Sequence, residues 1–221
     1  MPSFSHFLST FGETKGVFID AMILTLKLTV VSVLLGIIIG LLFALLKISN
    51  VKVLGWISDA YVFLVRGTPL IVQIFILYFG LSGIFLIPDF WAAALALAFH
   101  NGAYISEIFR GSIQSIDHGQ MEAGRSLGMS QSLTMRRIIL PQAFRRALPP
   151  LGNQFIIGLK DSSLAAFISM NELFNVATTL GSNNFDEMTY LLIVAVYYLI
   201  LVALLTLAVN VLEKKLAKSD R

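Results

Sequence analysis

The stretch 122–141, EAGRSLGMSQSLTMRRIILP, decides how this 221-residue chain is read. It is polar and basic, yet it lies between two long apolar segments. It is also patterned: Glu122 and Ala123 are followed by Gly128, then by Ile138, Leu140 and Pro141. Gly124 and Gly128 stand one helical turn apart, so both small residues are expected on one face of a helix. A face of small residues lets a helix lie flat against another protein. The rest of the chain reads as holding this segment at a membrane surface.

Composition sets the class. The chain is 57% hydrophobic and 13% charged, against about a quarter charged in an ordinary soluble domain. Mean hydropathy is +0.81. Several segments run past the roughly 18 apolar residues that mark a membrane span. The expected class is therefore all-α, a polytopic membrane protein in a single domain over residues 1–221. With no cysteine, disulfides, thiolate metal sites and cysteine nucleophiles are excluded. The first apolar run, about 17–46, is too long for the h-region of a cleavable signal.

Five spans are expected, at about 18–46, 58–81, 90–109, 147–167 and 188–212. In the first, Ser32, Gly36 and Gly40 repeat every four residues as a seam for close helix packing, and Lys27 can snorkel. The second contains Arg66-Gly67-Thr68-Pro69, a break that lines a cavity or packs on protein. Glu107 and Arg110 in the third are spaced as a local ion pair. Asn101, Gly102 and Tyr104 are placed for contacts across helices, and His100 has no second ligand at metal spacing. Pro149-Pro150 fits a first helical turn. Lys160, Asp161, Ser162 and Ser163 interrupt the far half of the fourth span, and residues 168–187 form a polar connection.

Charge asymmetry sets orientation. With the first loop inside, Lys47, Lys52, Arg110, Arg125, Arg136, Arg137, Arg145, Arg146, Lys214, Lys215, Lys218 and Arg221 are all cytoplasmic, twelve of the sixteen basic residues. The N-terminus is then outside, the C-terminus inside, and the loop of about 111–146 cytoplasmic.

The chain carries no visible engine. No Walker A, HExxH or GxSxG motif is present. An ion-coupled secondary transporter working without an ATPase would call for internal repeats and several intramembrane acids, and neither is seen. A membrane enzyme would call for clustered catalytic residues, whereas His6, His100 and His118 are scattered.

The spacing of Glu122-Ala123, Gly128, Ile138, Leu140 and Pro141 resembles the EAA loop of ATP-binding-cassette importer permeases. Gly124 stands where that motif usually has a second alanine. Arg66-Gly67-Thr68-Pro69-Leu70, Tyr104-Ile105-Ser106-Glu107, Ile113-Gln114-Ser115-Ile116, the run Leu148 to Phe155 and Lys160-Asp161-Ser162-Ser163-Leu164 are similar to signatures of the polar amino acid subgroup, of histidine, glutamine and cystine type. The resemblance covers about residues 20–215. It implies a type I importer permease fold with a cytoplasmic coupling helix, in a bacterial cytoplasmic membrane. It also implies two ATPase subunits that bind ATP and Mg, a second permease subunit and an extracytoplasmic solute-binding protein. The chain itself is then no enzyme and holds no cofactor or metal.

On this reading Glu122, Ala123, Gly124, Arg125, Gly128 and Pro141 couple to the ATPase. Glu122 meets a cationic groove, and Arg125, Arg136 and Arg137 meet acids or lipid phosphates. Asp161, Gln154, Ser162 and Arg66 are the candidate substrate contacts. Asp161, roughly 21 Å along the fourth span, either accepts a substrate ammonium or neutralises Lys160. Gln154, two turns away on the same face, can read a side-chain amide. Few acids lie in the spans, which favours glutamine or cystine over arginine or histidine.

Overall fold

In a computed structural model the chain is helical throughout its regular structure. The described residues are 3–49, 51–84 and 86–219, with side chains to Lys215. Arg221, used in the charge count above, lies outside them, as does the side chain of Lys218.

Among the described residues, nine α-helices follow one another. They are α1 (Phe4–Ile48), α2 (Lys52–Arg66), α3 (Leu70–Phe75, extended by a π-helical turn Ile76–Gly80), α4 (Asp89–Gln114), α5 (His118–Ser126), α6 (Gln131–Thr134, extended by a π-helical turn Met135–Ile139), α7 (Leu140–Asp161), α8 (Leu173–Asn184) and α9 (Glu187–Ser219). A 3-10 segment, Ser162–Ile168, continues α7.

The α1–α4 pair is the spine. The expected seam holds: a Cβ on Gly40 would lie 2.6 Å from Ile105 and 2.9 Å from the Gly102 carbonyl, and one on Gly36 3.2 Å from the Ala98 carbonyl. Alanines reciprocate from α4, where Ala92, Ala93, Ala94, Ala96 and Ala98 are buried. Small side chains on both helices let the backbones approach, and dispersion then holds them.

Several boundaries differ from expectation. The first span is expected from about residue 18, but α1 is already helical at Phe4, capped by Ser3. At 45 residues α1 is about 67 Å long, twice a bilayer core. Its early turns are held by tertiary contacts: Phe11 and Phe18 stack on Tyr197 of α9, and His6 pairs with Asp186 at 2.7 Å. The break expected at Arg66 to Pro69 is present, and α2 and α3 meet there at 101°. Pro69 removes a donor there, and the Gln73 amide supplies replacements to the Val65 and Thr68 carbonyls. Residues 168–187 contain α8, which Glu172 caps by accepting from the Phe174 and Asn175 amides. Pro149 and Pro150 lie inside α7 rather than in its first turn, because α7 begins at Leu140.

Among the described residues, α1 and α9 are by length and composition apolar enough to cross a bilayer, with the bent α2–α3 pair as a third. The helices α4 and α7 are long enough but less apolar. Much of each faces protein: α4 carries buried Asn101 and Ser106, and α7 carries buried Gln154.

Candidate coupling surface and substrate contacts

The loop is built by local capping. The Asp117 carboxylate accepts from the Gly119 amide and starts α5. Gly128, at φ +82°, ends it in the left-handed region, which costs glycine nothing. The Met129 amide donates to the Gly124 carbonyl and the Gly128 amide to that of Arg125, the paired closure of a Schellman turn. Ser130 then accepts from the Leu133 amide and starts α6. The result is a short helical hairpin that hangs from α4 and returns into α7.

This geometry corrects the shared-face reading of the two glycines. Gly128 lies beyond the end of α5 and provides the turn. Gly124 is buried against its own chain: a Cβ there would meet Thr134 at 2.6 Å and Ile138 at 3.3 Å. Gly124 therefore sets the α5–α6 spacing. The surface left exposed is Glu122, Ala123, Arg125 and Ser126, with Arg136 and Arg137 beside it. Leu127, overlooked in the sequence, stands 83% exposed at the tip as an apolar knob. Its signal was present: it is the residue just before the terminating glycine. Pro141 is exposed at the start of α7. Behind the hairpin, Ile113, Ile116, Ile139 and Ala143 form a buried cluster that fixes it to the ends of α4 and α7. Arg146 ties the same ends by donating to the Ser115 carbonyl and hydroxyl.

The four candidate substrate residues are not joined to one another. Gln154 donates its amide to Asn101 Oδ1 at 2.8 Å in a buried pair between α7 and α4, so that amide is occupied within the protein. Ser162 is buried and donates to the Leu159 carbonyl. Arg66 is exposed at the end of α2, its guanidinium 5.0 Å from the centroid of the Tyr104 ring. His100 packs against the same Tyr104 ring, with centroids 5.2 Å apart. Asp161 is half-buried where α7 tightens into the 3-10 segment. Among the described residues it has no ion pair with Lys160, because adjacent helical side chains point about 100° apart. The expected Glu107–Arg110 pair does form, at 2.7 Å. Among the described residues, the buried polar atoms His100 Nδ1 and Asn101 Nδ2 have no hydrogen-bond partner. No group of three or more His, Cys, Asp or Glu side chains suited to a metal occurs among the described residues.

Known proteins share this fold. Residues 33–218 match the model of the binding-protein-dependent transport system inner membrane component family. The chain is 43% identical over 194 residues to the L-cystine transport system permease of Bacillus subtilis, covering 87% of this chain and 83% of that one. It is 37% identical over 204 residues to the arginine transport system permease of the same organism, covering 91% and 93%. It is 43% identical over 169 residues to the glutamine transport system permease of Escherichia coli, covering 73% and 77%. Among solved structures, an amino acid ABC transporter with histidines superposes with a TM-score of 0.90 at 37% identity, covering 97% of this chain and 100% of that one. A chain of the MetNI methionine ABC transporter, at 21% identity and TM-score 0.80, shares the fold. The match spans most of the chain and includes both the EAA loop and the α1–α4 spine, so this protein belongs to the family of binding-protein-dependent transport inner membrane components, as a multi-pass permease among its amino-acid ABC members.

Proposed function

We propose that this chain is the permease subunit of an ATP-driven importer that carries a polar L-amino acid, glutamine or cystine before arginine or histidine, across a bacterial cytoplasmic membrane. The observation that carries the reading is the α5–α6 hairpin, a rigid element whose buried face is closed by Gly124 and whose outer face offers Glu122, Ala123, Arg125 and Leu127. A transporter working alone has no use for a capped, exposed helix of this kind. An apolar knob ringed by charges suits docking into a groove on an ATPase.

In this reading α1, the bent α2–α3 pair, α4, α7 and α9 are the five passages of one domain, with the N-terminus outside and the hairpin inside. Two ATPase subunits hold ATP and Mg. A second permease subunit completes the path, and an extracytoplasmic binding protein delivers the solute. Asp161 meets the substrate ammonium. Arg66, held by Tyr104, meets its carboxylate.

The relatives named for cystine, arginine and glutamine support an amino acid as cargo. The test is purification with the co-expressed neighbouring subunits, reconstitution, and assay of ATP hydrolysis with each candidate amino acid and its binding protein. Hydrolysis stimulated by one liganded binding protein establishes the importer and names its cargo. A chain that takes up amino acid with no ATPase attached overturns it.

A further inference from the structure

A second feature lies away from the hairpin and the substrate contacts. A groove of about 340 Å³ runs between α1, α7 and α9, walled among others by Val33 and Ile37, Leu148 and Phe155, and Leu205 and Leu212. Every side chain that lines it is hydrocarbon. Its axis follows the helices: Leu205 to Leu212 covers about 10 Å, most of one leaflet's share of a bilayer core. Leu212 lies about 37 Å along α9 from Glu187, so the residues after it reach headgroup level.

That end of the groove is basic. Arg145 follows the lining residue Phe144, on the flank of α7 shared with Gly152, whose missing Cβ would stand 2.7 Å from Val209 of α9. Lys215 continues the row Leu205, Ala208, Leu212 on α9. Arg145, Lys214 and Lys215 are exposed, and none forms an ion pair among the described residues. Glu213 is the acid that stands among them. Arg146, by contrast, is engaged at Ser115.

We propose that this groove holds an acyl chain of an anionic glycerophospholipid, with the phosphate between Arg145 and Lys215. A wholly apolar slot of leaflet depth suits a hydrocarbon tail, and unpaired cations at its headgroup end select a negative head. A second copy seated symmetrically on the same face would bring Arg145 and Lys215 against their own equivalents, and like charges oppose that contact. The inference needs only that the chain sit in a bilayer, so failed transport would leave it standing.

The test is native mass spectrometry of the purified complex after exposure to mixed vesicles of phosphatidylglycerol and phosphatidylcholine. One phosphatidylglycerol retained per chain, with phosphatidylcholine washed away, is the expected result. The double variant Arg145→Gln, Lys215→Gln lowers that retention about thirtyfold, the loss of two cation contacts with the headgroup. Ala208→Phe fills the slot and displaces the lipid with both cations intact. Equal retention of the two lipids, no lipid retained by the parent chain, or unchanged retention in the double variant overturns the proposal. The chain has no cysteine, so Ala208→Cys reports neighbours cleanly. Copy-to-copy crosslinking at that position makes the groove a protein interface and also overturns it.

Discussion

The hairpin of residues 117–141 and the region around Asp161 and Glu172 are both polar interruptions of an apolar chain, and they are built in opposite ways. In the hairpin every cap reaches only a few residues: Asp117 to Gly119, Gly124 to Met129, Ser130 to Leu133. Around Asp161 the contacts are long. Gln154 meets Asn101, the Thr25 hydroxyl accepts from the Leu173 amide, and the Tyr198 hydroxyl donates to Glu172. A locally closed element can move as a unit on a partner. A region closed by distant helices changes only when the bundle does. That difference suits the first to receive force and the second to respond to it.

The largest effect expected from breaking the contrast is at Gly124. Gly124→Trp drives a side chain into Thr134 and forces α5 off α6, where overpacking costs about 1–3 kcal/mol or more. Uptake is abolished while membrane levels of the chain stay normal. Gly124→Ala is milder, and adding Thr134→Ala to it restores uptake, because the clashing atoms are gone. Normal uptake by Gly124→Trp in a normal assembly would end the hairpin's role.

Next comes Asp161→Asn. Loss of one charged contact to a substrate ammonium lowers uptake at least about tenfold, with basal ATP hydrolysis by the complex retained. Unchanged KM for the cargo would return Asp161 to a structural role at the end of α7.

Glu172 sharpens the far side of the comparison through pH. Burial pushes its carboxyl up to about 7, against the pull of the Phe174 and Asn175 amides and the Tyr198 hydroxyl. An acid that holds its proton more tightly folded than unfolded stabilises the fold at low pH. That contribution is complete below the ordinary value of 4.5 and is lost as pH rises through about 7. Thermal stability therefore falls over this window, and Glu172→Gln flattens the fall. A slope unchanged in the variant assigns it to another group.

The smallest effect is at Gln154→Leu. It breaks the buried pair with Asn101 and costs about 1 kcal/mol, the usual worth of a hydrogen bond between membrane helices. Amino acid selectivity stays as it was, because the Gln154 amide is spent on Asn101. A change of preferred cargo would instead place Gln154 on the substrate.

Much was legible from the residues alone. Helical class, the α1 glycine seam, the Glu107–Arg110 pair and the patterned loop all rest on spacings within a few residues, and such spacings translate directly into shared faces and short contacts. The misreadings came where local pattern met distant partners. Residues 4–16 look weakly amphipathic, yet stacking of Phe11 on Tyr197 keeps them in one helix with the rest of α1. Gly124 and Gly128 look equivalent until the left-handed turn at Gly128 takes it off the helix. Gln154 looks free because Asn101 is 53 residues away.

By itself, then, the order of residues determined a polytopic helical chain with an EAA loop, since hydropathy and motif spacing are properties of neighbours along the chain. Tertiary structure alone decided which face of α5 is turned inward, how sharply the Pro69 break bends, which polar groups are already satisfied, and that an apolar slot with a basic rim lies between α1, α7 and α9. Each of these depends on which helices meet, and chain segments far apart in sequence choose their partners by packing.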